Sequence, residues 1–210
     1  MRASEFVTED LSRRNFLGAM GASAVTAAQA AQPSLKLPKE FNVLSNNPNN
    51  EIILQKVAHQ SGIRGPELAQ FLAQMKHESW DFGKMKEKPQ GQDYFARRYD
   101  MKHAPATARK LGNTKPGDGQ RFHGRGFVQL TGRDNYARAS QAIGIDLLKD
   151  PDLAANPDVA AKIAVWFWKT RVKPNVQNFA DTTAVTRLIN PALRGLQDRH
   201  ANFLDYKRIL

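Results

Sequence analysis

Cysteine is absent from all 210 residues of this sequence. The chain therefore contains neither a disulfide bond nor a cysteine metal site, and packing and hydrogen bonding alone must hold its fold. No run of about 18 strongly apolar residues occurs either, which is the length that a transmembrane helix requires. The hydrophobic content of 41% and the charged content of 24% are those of a globular protein, and the length suits one domain.

Several common site motifs are missing as well. His77-Glu78 lacks the second histidine of an H-E-x-x-H zinc helix. The glycine-rich segment 117–132 has neither the lysine of a Walker motif nor the glycine spacing of a dinucleotide-binding turn. No nucleic-acid-binding motif is recognisable. We therefore expect no metal ion and no nucleic-acid partner.

Positive charge is abundant, with a formal net charge of +11. The first 30 residues hold three basic and three acidic residues, so the excess belongs to the remainder of the chain. A basic surface favours polyanions, which include nucleic acid and a bacterial wall with acidic stem peptides. Charge alone does not choose between them.

The N-terminus has the composition of a targeting segment. Ser12–Leu17 contains two adjacent arginines and resembles a twin-arginine export motif, and a soft apolar stretch of small residues follows it. Ala28-Gln29-Ala30 then matches a small-residue cleavage site. We predict a signal segment over 1–30 and an exported protein, periplasmic or extracellular, that does not insert in the membrane once the signal is removed. The alternative is an ordinary N-terminal arm.

Residues 31–48 contain three prolines and predict a linker, which leaves 49–210 as the folded domain. Helical periodicity dominates that domain. Asn50 is a candidate helix cap, and a helix after Pro66 carries apolar residues at i, i+3, i+4 and i+7. Phe127–Leu130 is the best strand candidate. We therefore expect a mainly α domain, a monomer by default, with at most a small β-hairpin.

Glu78 lies at the end of the helix that begins near Pro66. At about 100° per residue it falls only about 20° from Phe71 around the helix axis, at the edge of the apolar stripe. A carboxyl group partly removed from water stays protonated more readily and can donate a proton to a leaving oxygen. The alternative for Glu78 is an ordinary surface residue.

Glu87 follows nine residues later, within the run Lys84-Met85-Lys86-Glu87-Lys88. Three neighbouring lysines favour the ionised carboxylate, which can serve as a general base on water. Two carboxylates in opposite surroundings are the pattern of glycoside hydrolysis. The alternative is a solvated charged surface.

The segment 117–136 combines glycines with neutral hydrogen-bonding side chains. The glycines allow tight turns and close approach of a ligand to the backbone. The neutral side chains suit sugar hydroxyl and acetamido groups better than phosphates, and they are Gln129, Thr131 and Asn135. A purely structural hairpin would also explain the glycines.

Five blocks of the sequence, in order over about residues 65–205, resemble glycoside hydrolase family 19. The block G-R-G-x-x-Q-L-T-G is highly specific. The blocks are Gln74–Ser79, Gly117–Gly119, Arg121–Tyr136, Ala164–Trp168, and Val185–Asn190 with Gly195–Arg199. That family contains chitinases and bacterial or bacteriophage wall lysozymes. The resemblance implies a lysozyme-like, two-lobed helical fold with a central cleft and an inverting mechanism without a cofactor.

The resemblance also implies a role for eight residues. The general acid falls on Glu78, the general base on Glu87, and the residue that helps to hold the attacking water on Thr131. Substrate binding falls on His77, Gln129, Asn135, Asn190 and Arg199.

The sequence departs from the family pattern in two places. Trp80-Asp81 stands where two small residues are common, and Trp80 is either a platform on which a sugar stacks or a core residue. Pro191-Ala192 stands where Gly-Gly is common after Asn190, which changes the geometry expected of that loop. Trp166 and Trp168 lie in an apolar segment and are predicted to be core residues.

Three functions fit these observations. The first is a wall lysozyme or endolysin, encoded by a cell or a bacteriophage, that cleaves peptidoglycan. It is favoured by the basic cluster ahead of the glycines, which comprises Arg97, Arg98, Lys102, His103, Arg109 and Lys110. The second is a chitinase with the same catalytic residues. The third is a non-catalytic basic module that binds wall or nucleic acid.

Overall fold

The computed structural model describes residues 41–210, so the predicted signal segment and residues 31–40 of the predicted linker lie outside the described residues. The described part is helical. Its α-helices are α1 (Pro48–Gln60), α2 (Gly65–Glu78), α3 (Tyr94–Tyr99), α4 (Pro105–Leu111), α5 (Asp118–Arg121), α6 (Arg133–Ile143), α7 (Pro157–Phe167), α8 (Thr182–Ile189) and α9 (Leu196–Ile209). Short 3₁₀ segments cover Pro151–Ala155 and Lys173–Asn175, and one π-helical turn covers Trp168–Val172. None of the described helices has the length and apolar character needed to cross a membrane.

The first helix begins three residues earlier than predicted, with Asn47 and not Asn50 at the cap position. Pro48 lies in its first turn. Proline has no amide proton, but an amide in the first turn has no hydrogen-bond partner within the helix, so nothing is lost there. Asn50 is therefore inside the helix and is not its cap. Residues 41–47 are hydrogen-bonded to the domain. The Leu44 amide donates to the Glu51 carboxylate, and the Asn42 side-chain amide donates to the Ile209 carbonyl at 2.9 Å. The last part of the predicted linker therefore packs on the fold.

Glu51 is a fully buried carboxylate that joins both ends of the described chain. It accepts from the Leu44 and Ser45 amides and from the Tyr206 hydroxyl, the last at 2.7 Å. Burial and the nearby Glu51 carboxylate raise the pKa of Tyr206, so its hydroxyl keeps the proton that it donates.

Replacement of Tyr206 by phenylalanine is expected to lower the free energy of unfolding by about 1.5–3 kcal/mol, because a buried carboxylate loses a donor. Urea denaturation measures this change. Tyr94→Phe is the matched control, since the Tyr94 hydroxyl makes only a 3.4 Å contact with Glu87 and its loss should cost less than about 0.5 kcal/mol. Equal losses in the two variants would contradict the role given to Tyr206.

The main core surrounds α2, in which every residue from Leu68 to Met75 is buried. Helix α9 packs along α2, and Phe71 meets Trp168 edge to face at 5.3 Å between ring centroids. Trp168 is fully buried, which confirms the prediction that it is a core residue. Trp166 is half-buried at the edge of the same core, so the prediction for that residue is only partly confirmed.

A second, smaller core lies under α3, α4 and α5 and divides the domain into two lobes. It consists of Phe95, Tyr99 and Leu111, with Tyr94 against it. The chain leaves the main core after Met85 and returns to it at Phe122. This confirms the two-lobed helical fold that was predicted.

The strand predicted over Phe127–Leu130 was wrong, and the described residues contain only isolated bridges that pair Arg125 with Lys86 and with Leu130. Gly126 (φ +72°) and Gln129 (φ +49°) turn the backbone too sharply for a strand. The Gly126 amide donates to the Met85 carbonyl at 2.8 Å, which ties the turn to the segment that carries Glu87.

Candidate active site

Glu78 is the last residue of α2, and its side chain is only 7% exposed. Its Oε1 accepts a 2.5 Å hydrogen bond from Nη2 of Arg199, a buried residue in the first turn of α9. The same guanidinium donates to Gln74 Oε1 at 2.5 Å and to the Arg194 carbonyl at 3.1 Å. Two helices packed side by side therefore fix the position of this carboxyl group.

Glu87 is also buried, at 4% exposure, and it accepts from a tyrosine hydroxyl and a backbone amide. The Tyr99 hydroxyl lies 3.1 Å from both carboxylate oxygens, and the Gly124 amide lies 3.3 Å from Oε2. The backbone amide of Glu87 donates to the Gly124 carbonyl at 2.8 Å. Burial and the Glu87 charge raise the pKa of Tyr99, so this hydroxyl remains a donor at neutral pH.

Two of the lysines that flank Glu87 in the sequence contact other side chains. Lys86 lies 3.2 Å from Asp152, and the Lys84 ammonium lies over the ring of Trp80 at 4.9 Å from its centroid. A lysine side chain is long enough that its ammonium group can lie in solvent while the adjacent residue in the chain is buried. Tyr99 and Gly124 both donate to the Glu87 carboxylate in its buried position.

Gly124 is the point at which three predicted site residues converge. A Cβ at this position would lie 3.1 Å from Glu87 Oε2, 3.2 Å from Gln129 Oε1 and 3.3 Å from Thr131 Oγ1. The Thr131 hydroxyl donates to the Gln129 carbonyl at 2.9 Å. A side-chain carboxylate and a side-chain hydroxyl thus face the same small volume, which is the arrangement that orients a water molecule.

Two amide oxygens near this turn are buried without a hydrogen-bond partner among the described residues. They belong to Gln129 and Asn135. The amide nitrogens of both side chains are engaged, since Gln129 donates to the Lys84 and Gly126 carbonyls and Asn135 donates to the Thr131 carbonyl. Buried polar atoms are almost always paired, so these oxygens are acceptors for a bound molecule or for water.

His77 is half-exposed beside Glu78 and pairs with Asp198 through Nδ1 at 2.6 Å. Gly195 (φ +71°) lies directly against the imidazole, and any side chain at this position would overlap the ring. Asn190 ends α8, and its carbonyl accepts from the Leu193 amide at 2.8 Å, which closes the loop that contains Pro191-Ala192.

The predicted residues thus form two groups. One comprises Glu78, His77 and Arg199 at the contact of α2 and α9; the other comprises Glu87, Gln129, Thr131 and Asn135 around the turn at Gly124. Sequence reasoning missed Tyr99 and Gln74. Gln74 precedes Glu78 by one helical turn, and that i, i+4 spacing is a usable signal for a shared partner. Nothing in the sequence connects Tyr99 to Glu87.

Replacement of Gly124 by alanine is expected to lower kcat/KM by about 10²-fold without removing any functional group. The new methyl displaces Glu87, Gln129 and Thr131 by a few tenths of an ångström, and small errors of placement are costly in catalysis. Initial-rate kinetics on a soluble substrate measure the effect.

Gly62→Ala is the matched control for Gly124→Ala. The space around Gly62 is open, but its φ of +83° disfavours alanine, so this variant should lose stability and keep its activity. Full activity in Gly124→Ala would contradict a shared site for the three side chains.

The family model described as chitinase class I matches residues 55–190, well over half of the chain. A Haemophilus influenzae protein described as containing a glycosyl hydrolase family 19 domain is 36% identical over 151 residues, which cover 62% of this chain and 74% of that protein. An endochitinase of Arabidopsis thaliana is 36% identical over 159 residues, which cover 71% of this chain but only 50% of the endochitinase. The chain therefore spans about half the length of that plant relative.

Solved structures show the same fold. Chitinase C of Streptomyces griseus superposes with a TM-score of 0.56 at 24% identity, over 77% of this chain and 68% of the chitinase. The Zea mays class IV chitinase gives a TM-score of 0.51 at 22% identity, over 79% of each chain.

Proposed function

The chain belongs to glycoside hydrolase family 19, and from this premise we propose that it is an inverting enzyme that cleaves β-1,4 bonds in an N-acetylglucosamine-containing wall polymer, with peptidoglycan preferred. One observation carries the proposal. Two buried carboxyl groups are held by different parts of the fold, Glu78 at the contact of α2 and α9 and Glu87 beside the turn at Gly124, where Thr131 faces it. Hydrolysis with inversion requires two carboxyl groups, one that donates a proton and one that accepts a proton from water.

Glu78 is the general acid in this proposal. Arg199 binds its Oε1, so the proton that is delivered to the glycosidic oxygen resides on Oε2. The bond from that oxygen to the anomeric carbon lengthens as the proton moves, and the ring acquires oxocarbenium character. Arg199 then faces the carboxylate that remains.

Glu87 is the general base. Its carboxylate, with the Thr131 hydroxyl, orients a water molecule toward the anomeric carbon from the face opposite the leaving group. Glu87 takes a proton from that water as the new C–O bond forms, and the product has inverted configuration. The unpaired amide oxygens of Gln129 and Asn135 suit the hydroxyl and acetamido N–H donors of the sugar.

The charge of the smaller lobe favours peptidoglycan. Between residues 94 and 117 the only acidic residue is Asp100, and it accepts from the Gly119 amide at 2.5 Å. The exposed basic side chains on this stretch are Arg97, Lys102, Arg109, Lys110 and Lys115. Such a surface attracts a polymer with acidic stem peptides more strongly than neutral chitin. The predicted signal segment would deliver the enzyme, as a monomer, to the periplasm or outside the cell.

Chitin is the second candidate substrate, and it is favoured by the similarity to plant endochitinases. A non-catalytic wall-binding module is the alternative of another class. It would leave both buried carboxyl groups without a use.

The proposal is tested by the release of new reducing ends from purified peptidoglycan and from chitin oligomers, side by side. We expect faster release from peptidoglycan. Faster release from chitin would show that chitin is the preferred substrate of the same mechanism. An NMR time course of the first-formed anomer distinguishes the stereochemistry, and net retention would contradict the roles of Glu87 and Thr131.

A further inference from the structure

Trp80 is the most exposed large hydrophobic residue of the described chain, at 74%, two residues after the proposed acid. This exposure shows that Trp80 is not a core residue. It stays exposed although the Lys84 ammonium lies over its ring. A single exposed apolar side chain is common on protein surfaces, so the case for a ligand rests on how the ring is presented and on what lies beside it.

The backbone that presents Trp80 is strained. Trp80, Asp81 and Phe82 all have left-handed φ values, between +50° and +60°, and none is glycine. Each such residue costs about 1–2 kcal/mol. An unstrained turn could also connect α2 to Glu87. The strained turn is therefore explained by the way in which it presents the ring of Trp80.

Neighbouring side chains hold this strained turn in place. Asp81 accepts from the Asn46 amide at 2.8 Å and forms an ion pair with Lys76. The side-chain amides of Asn47 and Asn50 donate to the carbonyls of Asp81 and Phe82, each at 2.8 Å. The orientation of Trp80 is therefore fixed in advance of any ligand, which lowers the entropic cost of binding.

The ring lies at the edge of a surface pocket of about 620 Å³, within the size of small-ligand sites. Its other walls are polar, from Asn46, His77, Asp198 and Asn202. Two residues of the pocket wall are neighbours in sequence of the proposed acid and its partner: His77 precedes Glu78 on α2, and Asp198 precedes Arg199 on α9.

We propose that Trp80 and this pocket form a saccharide subsite that binds an N-acetylglucosamine unit of the polymer next to the bond that is cleaved. The electron-rich face of the indole packs on the C–H face of the pyranose ring. The polar walls supply donors from Asn46 and Asn202 and an acceptor from Asp198 for the sugar hydroxyl groups. The identity of the sugar rests on the proposed function; the presence of a carbohydrate subsite rests on the pocket alone.

Fluorescence and calorimetry test this subsite. The probe is the hexamer of N-acetylglucosamine, titrated into Glu78→Gln so that no bond is cleaved. Because Trp168 is fully buried and Trp166 lines a different pocket, the fluorescence change should come from Trp80. It should vanish in Glu78→Gln/Trp80→Phe and persist in Glu78→Gln/Trp166→Phe.

Affinity gives the second readout. Trp80→Ala in the same background should weaken hexamer binding about tenfold, whereas Trp80→Phe, which keeps an aromatic face, should stay within about threefold. Leu204→Ala, an exposed apolar residue of α9 outside the pocket, should change nothing. Unchanged affinity in Trp80→Ala, or a fluorescence change that survives Trp80→Phe, would overturn the subsite.

The failure of the subsite and that of the proposed function give different results. Binding that depends on Trp80, without hydrolysis by the parent enzyme, would leave the subsite and remove the catalytic proposal. Hydrolysis by the parent enzyme, with a hexamer affinity that does not depend on Trp80, would remove the subsite and leave the catalytic proposal.

Discussion

Replacement of Glu78 by glutamine should lower the rate of glycosidic bond cleavage by about 10²–10⁴-fold, the contribution of a positioned general acid. Glutamine keeps the shape of the side chain, and its oxygen still accepts from Arg199, so the fold should be retained. The rate of reducing-end release at saturating substrate measures the loss. Circular dichroism and the thermal midpoint verify that the variant is folded.

Asp205→Asn is the matched control for Glu78→Gln. It also removes one negative charge, but from an exposed side chain of α9 that pairs only with Arg208. Its activity should equal that of the parent. If Glu78→Gln kept more than about a tenth of the parent activity while folded, the general acid would have to be another residue.

Replacement of Arg199 by methionine should lower the free energy of unfolding by about 3–5 kcal/mol. The guanidinium is 1% exposed and joins Gln74, Glu78 and the Arg194 carbonyl. Its loss leaves a nearly buried carboxylate and a buried amide oxygen without their donor. Urea denaturation measures the effect, and activity should fall with it because the position of Glu78 is no longer fixed.

Arg208→Met is the matched control on the same helix. Its ion pair with Asp205 is solvent-exposed and should contribute less than about 1 kcal/mol. The double variant Arg199→Met/Glu78→Gln should recover part of the stability, since no unpaired charge is then buried. A single Arg199→Met variant within 1 kcal/mol of the parent would contradict the structural role of this pair.

Local sequence patterns predicted the helical elements well. The apolar spacing after Pro66 predicted α2, and the Asn156-Pro157-Asp158 signal predicted the start of α7, where the Asn156 side chain accepts from the Asp158 amide at 3.0 Å. These patterns succeed because a helix repeats every 3.6 residues and its first amides need a cap. The strand predicted over Phe127–Leu130 was wrong, because the left-handed backbone at Gly126 and Gln129 is not encoded in the apolar pattern.

The sequence by itself determined the family, the helical class of the fold and the two candidate carboxyl groups, because each depends on residues close together in the chain. Only the tertiary structure decided what surrounds those groups. Arg199 reaches Glu78 across 121 positions, and Tyr99 donates to Glu87 from the smaller core. The exposure of Trp80 was also decided there, by side chains from α1 and α2 that hold a left-handed turn. A side chain's partners follow from distance in space, and no periodicity in the sequence encodes that distance.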